Sequence, residues 1–312
     1  MESNSEDSMP DAPKIRRRKV DSDIDMPSGH PHRASTRPES SWDVSARLVL
    51  PAVNKDIGLT AQHPEFQAVL RDTMSIIKIY MWFDDAYPLM ASRPGFCRPH
   101  LITAAQARGA VHILERLLKD PAFGAILAPI LCDRMNLHRA NVKRCAVSCV
   151  LAFYKLADLA PDQVKTHIEE LLKDHRYIFS VDSEPFNHGS IRFVLKEEIL
   201  SSASFVTQNI DRFPAKAATA HKPILHEVAD PMVAIAATAV YAALVEYRMT
   251  GQRQNIPFTE DAYEDTYRNH MSSLRDLRTR YANALHQRFH ELFKDTTYVF
   301  VSSVNVLLLT FH

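Results

Sequence analysis

The chain has 312 residues, 46% of them apolar, and 37 basic against 37 acidic side chains, so it can bury a core and carries no overall field that would draw it to nucleic acid or an acidic membrane. Its seven glycines, at positions 29, 58, 95, 109, 124, 189 and 251, all stand more than ten residues apart. Phosphate-cradling loops and the hydrolase nucleophile elbow need closely spaced glycines, which excludes the dinucleotide-binding, Walker, kinase-loop and Gly-x-Ser-x-Gly chemistries.

In chain order, residues 1 to 45 come first, rich in Ser, Pro, Asp and Arg and almost free of large apolar side chains. Such a segment cannot offset the entropy of ordering and is expected to be a disordered tail. Within it, "PKIRRRKV" gathers Lys14, Arg16, Arg17, Arg18 and Lys19, although the segment as a whole holds seven basic and nine acidic residues, a net of −2. That run matches what nuclear import receptors read. The expected partner of the tail is therefore an import receptor, and the expected location is the nucleus, otherwise the cytoplasm. The four cysteines form no Cys-x-x-Cys pair and no apolar leader opens the sequence, which points to a reducing compartment.

From about residue 60 to 295 the pattern predicts one all-α domain of many helices. Pro64 suits the first turn of a helix carrying Phe66, Val69, Leu70, Ile76, Ile77, Tyr80 and Phe83 on one face, and Pro88 with "RPGFCRP" is expected to break it. A second helix is read through "TAAQARGAVHILERLLK", and Asp120-Pro121 opens a third that Pro129 should kink or divide. A fourth, "HRANVKRCAVSCVLAFYKL", is read with Val142, Cys145, Cys149 and Phe153 inward and Arg139, Lys143 and Arg144 outward. Pro161 opens a fifth, "RYIFSVDSEPFNHGS" is irregular, and Ser190 caps a sixth through "IRFVLKEEILSSASFV".

The segment "DPMVAIAATAVYAALVEYRMTGQ" has Asp230 as cap, Pro231 in the first turn and Gly251 as its stop. Its uncharged portion, Met232 to Val245, is too short to span a bilayer, and its six alanines leave no bulky face, so it is expected to be a buried central helix. Thr259 then caps a run carrying Tyr263, Tyr267, Met271, Leu274, Leu277, Tyr281, Leu285, Phe289 and Leu292, one very long helix or two joined near residue 279. The tail from 296 to 312 is uncharged and rich in β-branched residues, and reads as a buried strand, an aggregation-prone edge or a misassigned 3′ end of the gene.

The candidate sites are few. Arg134, Arg139, Lys143 and Arg144, with His138, form the densest basic cluster of the folded part and are candidates for phosphate or nucleic-acid contact, against a solvated helix face. His188, Tyr241, Glu246 and His270 are the groups that would line a pocket between helices. Glu246, which ends the uncharged run, needs a partner if buried and reads first as a structural ion pair. His286 and His290 have a metal-ligand spacing, but Gln287 stands where a zinc protease needs Glu, so they are read as helix surface. Cys145 and Cys149, with Cys132 one helix earlier, are read as packing thiols, zinc being the alternative. No metal site and no cofactor is expected, nor any membrane span.

The segments "PFNHGSI", "AIAATAVYAALVEYRMTG" and "IPFTEDAYEDTYRNHMSSL", with "FDDAYP" and the spacing of Arg134, Arg139 and Lys143, resemble a family from mushroom-forming (basidiomycete) fungi classed as a domain of unknown function. The resemblance runs over roughly residues 65 to 293. It implies a helical fold and a fungal, intracellular setting, and no activity. The expected function is a non-catalytic interaction module for protein or nucleic acid; the alternative is an enzyme or small-ligand binder with its pocket between helices.

Overall fold

The computed structural model describes residues 38–50, 57–88, 93–180, 182–216 and 224–309, with side chains given up to residue 297. The basic cluster at 14–19 lies outside these residues. The fold is all-α: α1 (Pro64–Phe83), α2 (Arg93–Arg108), α3 (Val111–Lys119), α4 (Pro121–Phe153), α5 (Pro161–Leu172), α6 (Gly189–Val194), α7 (Ala203–Gln208), α8 (Asp230–Arg248) and α9 (Glu260–Leu309). Among the described residues the extended structure is limited to one antiparallel pair, β1 (Ala215–Lys216) with β2 (Leu225–His226), and an isolated bridge between Phe179 and Pro185.

At the centre is α8, with α1, α4, α5, α6 and α9 packed around it. Every residue from Pro231 to Val240 is buried, and so are Ala242, Ala243 and Leu244. The small side chains let the neighbours close in on all sides, while Val233, Ile235, Val240 and Leu244 each contribute about 1.5–3 kcal/mol of apolar burial. By length and composition alone the helix could cross a membrane, but 83% of its apolar stretch is buried inside the protein, as in a core helix.

Several boundaries differ from expectation. "RPGFCRP" lies inside α2, with Pro94 in its first turn and Pro99 carried within the helix. Gly109, at φ +69°, separates α2 from α3, dividing what reads as one helix in the sequence. Pro129 breaks nothing: α4 runs unbroken for 33 residues. Pro129 and Ala125, whose carbonyl loses its helical donor, both face solvent, where water can bond the freed oxygen. The predicted third and fourth helices are therefore one, and its inner stripe is Met135, Arg139, Val142, Lys143, Ala146 and Val150.

The predicted sixth helix is divided. His188, not Ser190, caps α6, accepting from the Ser190 N–H at 3.2 Å. A π-turn at Leu195–Ile199 follows, and α7 begins after Ser202. Helix α9 satisfies both readings of its length: it is one element of 50 residues bent at Tyr281 (φ −135°, ψ 38°). The apolar tail, read as a strand or an edge, has a helical backbone as far as Leu309.

Residues assigned by composition to the tail are ordered from Pro38. Two short 3-10 turns follow, Glu39–Ser41 and Val44–Ala46, the second packed on α1 and α3, and the segment buries Trp42, Ser45, Ala46 and Leu48.

Candidate functional site

Glu246, fully buried in the last turns of α8, receives Lys143 Nζ from α4 at 2.5 Å, Arg253 Nε at 2.7 Å and the Ile256 N–H at 3.2 Å. Lys143 also donates to the Ile256 carbonyl, and the Gln254 N–H bonds the Glu246 carbonyl at 2.8 Å. Burial acts to raise the Glu246 carboxyl, but the hydrogen bonds from Lys143, Arg253 and Ile256 outweigh it and hold the group below its usual range. The carboxylate thus ties α4, α8 and the 249–258 loop together. The loop turns at Gly251 (φ +71°), where an added Cβ would lie 1.9 Å from the Pro161 carbonyl oxygen.

One turn of α4 earlier, Arg139 is buried with its guanidinium 4.6 Å from the centre of the Tyr87 ring. It donates to Asn136 Oδ1 at 2.8 Å, and Glu260 stands 4.0 Å away. Tyr87 belongs to the "FDDAYP" segment after α1, which Arg268 of α9 holds through Asp85 (2.8 Å) and the Tyr87 carbonyl. The four basic residues read as a phosphate stripe are accordingly split. Arg139 and Lys143 point inward and are consumed by Tyr87, Asn136 and Glu246, while Arg134 and Arg144 are exposed. Between these sets His138, edge-on to Trp82, is pushed down to about 4 by burial and by the charges of Lys78 and Arg134.

His270 of α9 is buried between Tyr177 and Thr238. Thr238 Oγ1 donates to the Ala234 carbonyl at 2.7 Å, so it accepts from His270 Nδ1 at 2.9 Å, and the Tyr177 hydroxyl donates to Nε2 at 2.6 Å. This assigns the neutral Nδ1–H tautomer. Burial, with His175 adding, pushes the imidazole down to about 3. Tyr154 donates to the Tyr177 carbonyl at 2.7 Å and lies 2.9 Å from Ser190 Oγ, which in turn is 2.8 Å from His188 Nδ1. Tyr241 joins this set through Tyr177 (5.8 Å between rings) and Tyr263 (6.4 Å).

Of the four residues proposed as pocket lining, His188, Tyr241 and His270 therefore belong to one packed polar and aromatic ladder through Tyr154, Tyr177 and Ser190, while Glu246 belongs to the separate network of Lys143, Arg253 and Ile256. Two hollows among the described residues are lined by other side chains, the second of them next to His188. One, of about 340 Å³ at the α9 bend, is walled by Pro185, Leu277, Tyr281, Ala284, Leu285 and Arg288; another, of about 510 Å³, lies beside Phe153 and Arg192. His286 and His290, read as helix surface, are instead partly buried: His286 Nδ1 bonds Glu227 at 3.0 Å and His290 Nδ1 donates to the His226 carbonyl at 2.8 Å, fastening α9 to the 225–228 segment. Cys145 and Cys149 pack against the core, and burial raises their thiols to about 11 and 12. Among the described residues no group of three or more His, Cys, Asp or Glu is arranged to hold a metal ion.

One cluster was not foreseen. Arg116 of α3, wholly buried, lies 4.1 Å from the Phe123 ring centre and 5.3 Å from that of Trp42. Glu39 clasps it with both carboxylate oxygens, and the Ala46 carbonyl accepts at 2.7 Å. The signal was available in the sequence: Ile113, Arg116 and Leu117 share one helical stripe, so the arginine had to be buried and paired. Near Arg116 and Glu39 several aliphatic side chains are exposed, Val44 59%, Val49 49%, Leu50 58%, Val111 66% and Leu118 55%, among the ionisable Asp43, His112 and Lys119.

Together these features define a helical domain whose internal charges serve to join its elements, with an apolar face on α3 and the segment before α1. The chain belongs to the family described as "Domain of unknown function (DUF6532)", which it matches over residues 72–277. No curated protein and no solved structure matches it.

Proposed function

We propose that the domain is a non-catalytic interaction module that docks a protein through the face formed by α3 and residues 44–50. The observation that carries this reading is the concentration of exposed aliphatic side chains there, Val44, Val49, Leu50, Val111 and Leu118, in two neighbouring segments. Scattered apolar residues are ordinary on a protein surface; a group of this kind marks contact surfaces. Protein is favoured over nucleic acid because Arg139 and Lys143 are spent inside the domain, which leaves Arg134 and Arg144 as a weak charge footprint. The basic run Lys14, Arg16, Arg17, Arg18 and Lys19 would bring the module to the nucleus through an import receptor, in the fungal, intracellular setting that the family resemblance implies.

A photo-crosslinking amino acid placed at Leu118 and, as a control, at the exposed Leu137 of α4 tests the face in cells. A discrete protein adduct from position 118 and none from 137 is the expected result. Equal or absent labelling at the two positions would end the reading. For the import signal, replacing Arg16, Arg17 and Arg18 by alanine should move a fluorescent fusion from nucleus to cytoplasm, and unchanged nuclear signal would remove it.

A further inference from the structure

We infer that Cys97 and Cys132 form an oxidation site, at which hydrogen peroxide converts the two thiols into a disulfide that ties α2 to α4. The geometry that carries this begins on α4. A helical side chain leans toward the N-terminus of its own helix, so Cys132 covers the turn that starts at Ala128, four residues earlier. Cys97, in the second turn of α2, sets its Sγ on that same turn, 3.9 Å from the Ala128 carbonyl oxygen. The two sulfurs therefore meet between the packed helices, within hydrogen-bonding reach of each other. Cys97 is wholly enclosed and Cys132 keeps 4% of its surface in contact with solvent, so Cys132 is the thiol that a small oxidant meets.

The neighbours divide the roles. A hydrogen bond from Cys97, helped by the charges of Arg93 and Arg139, outweighs burial and Asp133 and holds the Cys132 thiol below its usual range. The same pairing, with burial, pushes the Cys97 thiol up, so Cys97 keeps its proton. The Cys132 thiolate attacks one oxygen of the peroxide; the O–O bond breaks, hydroxide leaves and takes up the proton that the thiol released, and Cys132 becomes a sulfenic acid. The Cys97 sulfur then attacks the Cys132 sulfur, the S–O bond breaks, and the departing hydroxide carries off the Cys97 proton as water. Two electrons pass from the thiols to one peroxide, which leaves as two waters. Cys145 and Cys149 supply the contrast within the same chain: Cys145 is more exposed than Cys132, but burial raises these two thiols to about 11 and 12.

The full chain, reduced and then treated with stoichiometric hydrogen peroxide, can be alkylated, digested without reductant and mapped by mass spectrometry. A peptide pair joined through Cys97 and Cys132 is expected, reversed by dithiothreitol, with Cys145 and Cys149 reacting at least about tenfold more slowly. Exposure alone would select Cys145, so oxidation of Cys145 ahead of the pair overturns the proposal, as does a chain whose four thiols all survive. Cys97→Ser keeps a hydrogen-bond donor beside Cys132 but removes the second thiol, and should leave a sulfenic acid at Cys132 that dimedone labels. Cys132→Ala should leave Cys97 reduced. Thermal melts show whether each variant is folded, and a folded Cys97→Ser chain without label also overturns the proposal. If a variant does not fold, the peptide map of the unaltered chain decides alone.

Discussion

Two of the buried ion pairs in this domain are built in opposite senses. At Glu246 the carboxylate is the buried partner, fully enclosed by α8 and met by two cations and a backbone N–H from separate segments. At Arg116 the cation is enclosed, while its partner Glu39 is 38% exposed and sits on a short segment at the edge of the fold. A buried charge is costly unless every valence is met, so the first pair is a lock: no element around it can leave without stranding a charge in the core. The second is a latch. Water reaches Glu39 already, and the segment it anchors lies at the edge of the fold.

The sharpest way to break this contrast is to remove the Glu246 carboxylate. Glu246→Ala strands Lys143 beside the Ile256 carbonyl, in the core, and should cost about 3–5 kcal/mol in denaturant unfolding. A loss under about 1 kcal/mol would mean that the pair locks nothing. Gly251→Ala attacks the same lock through the backbone: φ +71° strains any L residue, and the new Cβ would collide with the Pro161 carbonyl at the start of α5. About 2–3 kcal/mol is expected, with faster hydrogen exchange in the 249–258 loop.

The lock was half legible in the sequence. Glu246, at the end of an uncharged run, had to find partners if buried, but Lys143 lies 103 residues earlier and carries no sign of facing inward. Counting apolar positions in α4 from Val142 through Cys145 and Cys149 set the inner face about a quarter-turn away from its true place, because the stripe through Arg139 and Lys143 carries charges and scores as surface. Period alone cannot distinguish a charged residue in solvent from one neutralised inside. Helix α8 was readable for the opposite reason: alanine and valine on every side have a single reading, burial. Pro129 misled because the helix penalty of proline falls steeply where the freed carbonyl, here that of Ala125, faces water. The latch could not be seen from composition, since Glu39 and Trp42 lie in a stretch that otherwise reads as tail.

The contrast extends to pH. His270 is neutral, buried and fully bonded, and its folded pKa of about 3 lies below the unfolded value near 6.5. The unfolded chain therefore binds the proton first: the stability from this group is complete above pH 6.5 and is lost as pH falls from there toward 3, at about 1.4 kcal/mol per unit. Between pH 6.5 and 5 that amounts to about 2 kcal/mol. Subtracting the stability curve of His270→Gln from that of the unaltered chain isolates it, and a flat difference would show that the imidazole takes up its proton without unfolding. Glu39, partly exposed, is raised by burial but held below its usual range by Arg116 and the Leu48 N–H, and should give no comparable global slope.

The smallest global effect is expected at the latch itself. Glu39→Ala leaves Arg116 with the Ala46 carbonyl, Asp120 at 3.6 Å and two ring faces, and the segment from Glu39 to Leu48 can lift to let water reach the guanidinium. The cost should be about 1–2 kcal/mol, below that of a truncated buried pair, because the stranded charge can be rehydrated. Its clearest sign is local. The Leu48 N–H donates to Glu39 Oε2 at 3.1 Å, so its hydrogen exchange should accelerate markedly while the amides of α8 keep their protection. If α8 loosens as well, Glu39 is a second lock and the distinction fails. If only Leu48 and its neighbours respond, Val44, which rides on the same segment, becomes adjustable: releasing the latch would reshape the apolar face beside α3 without touching the core.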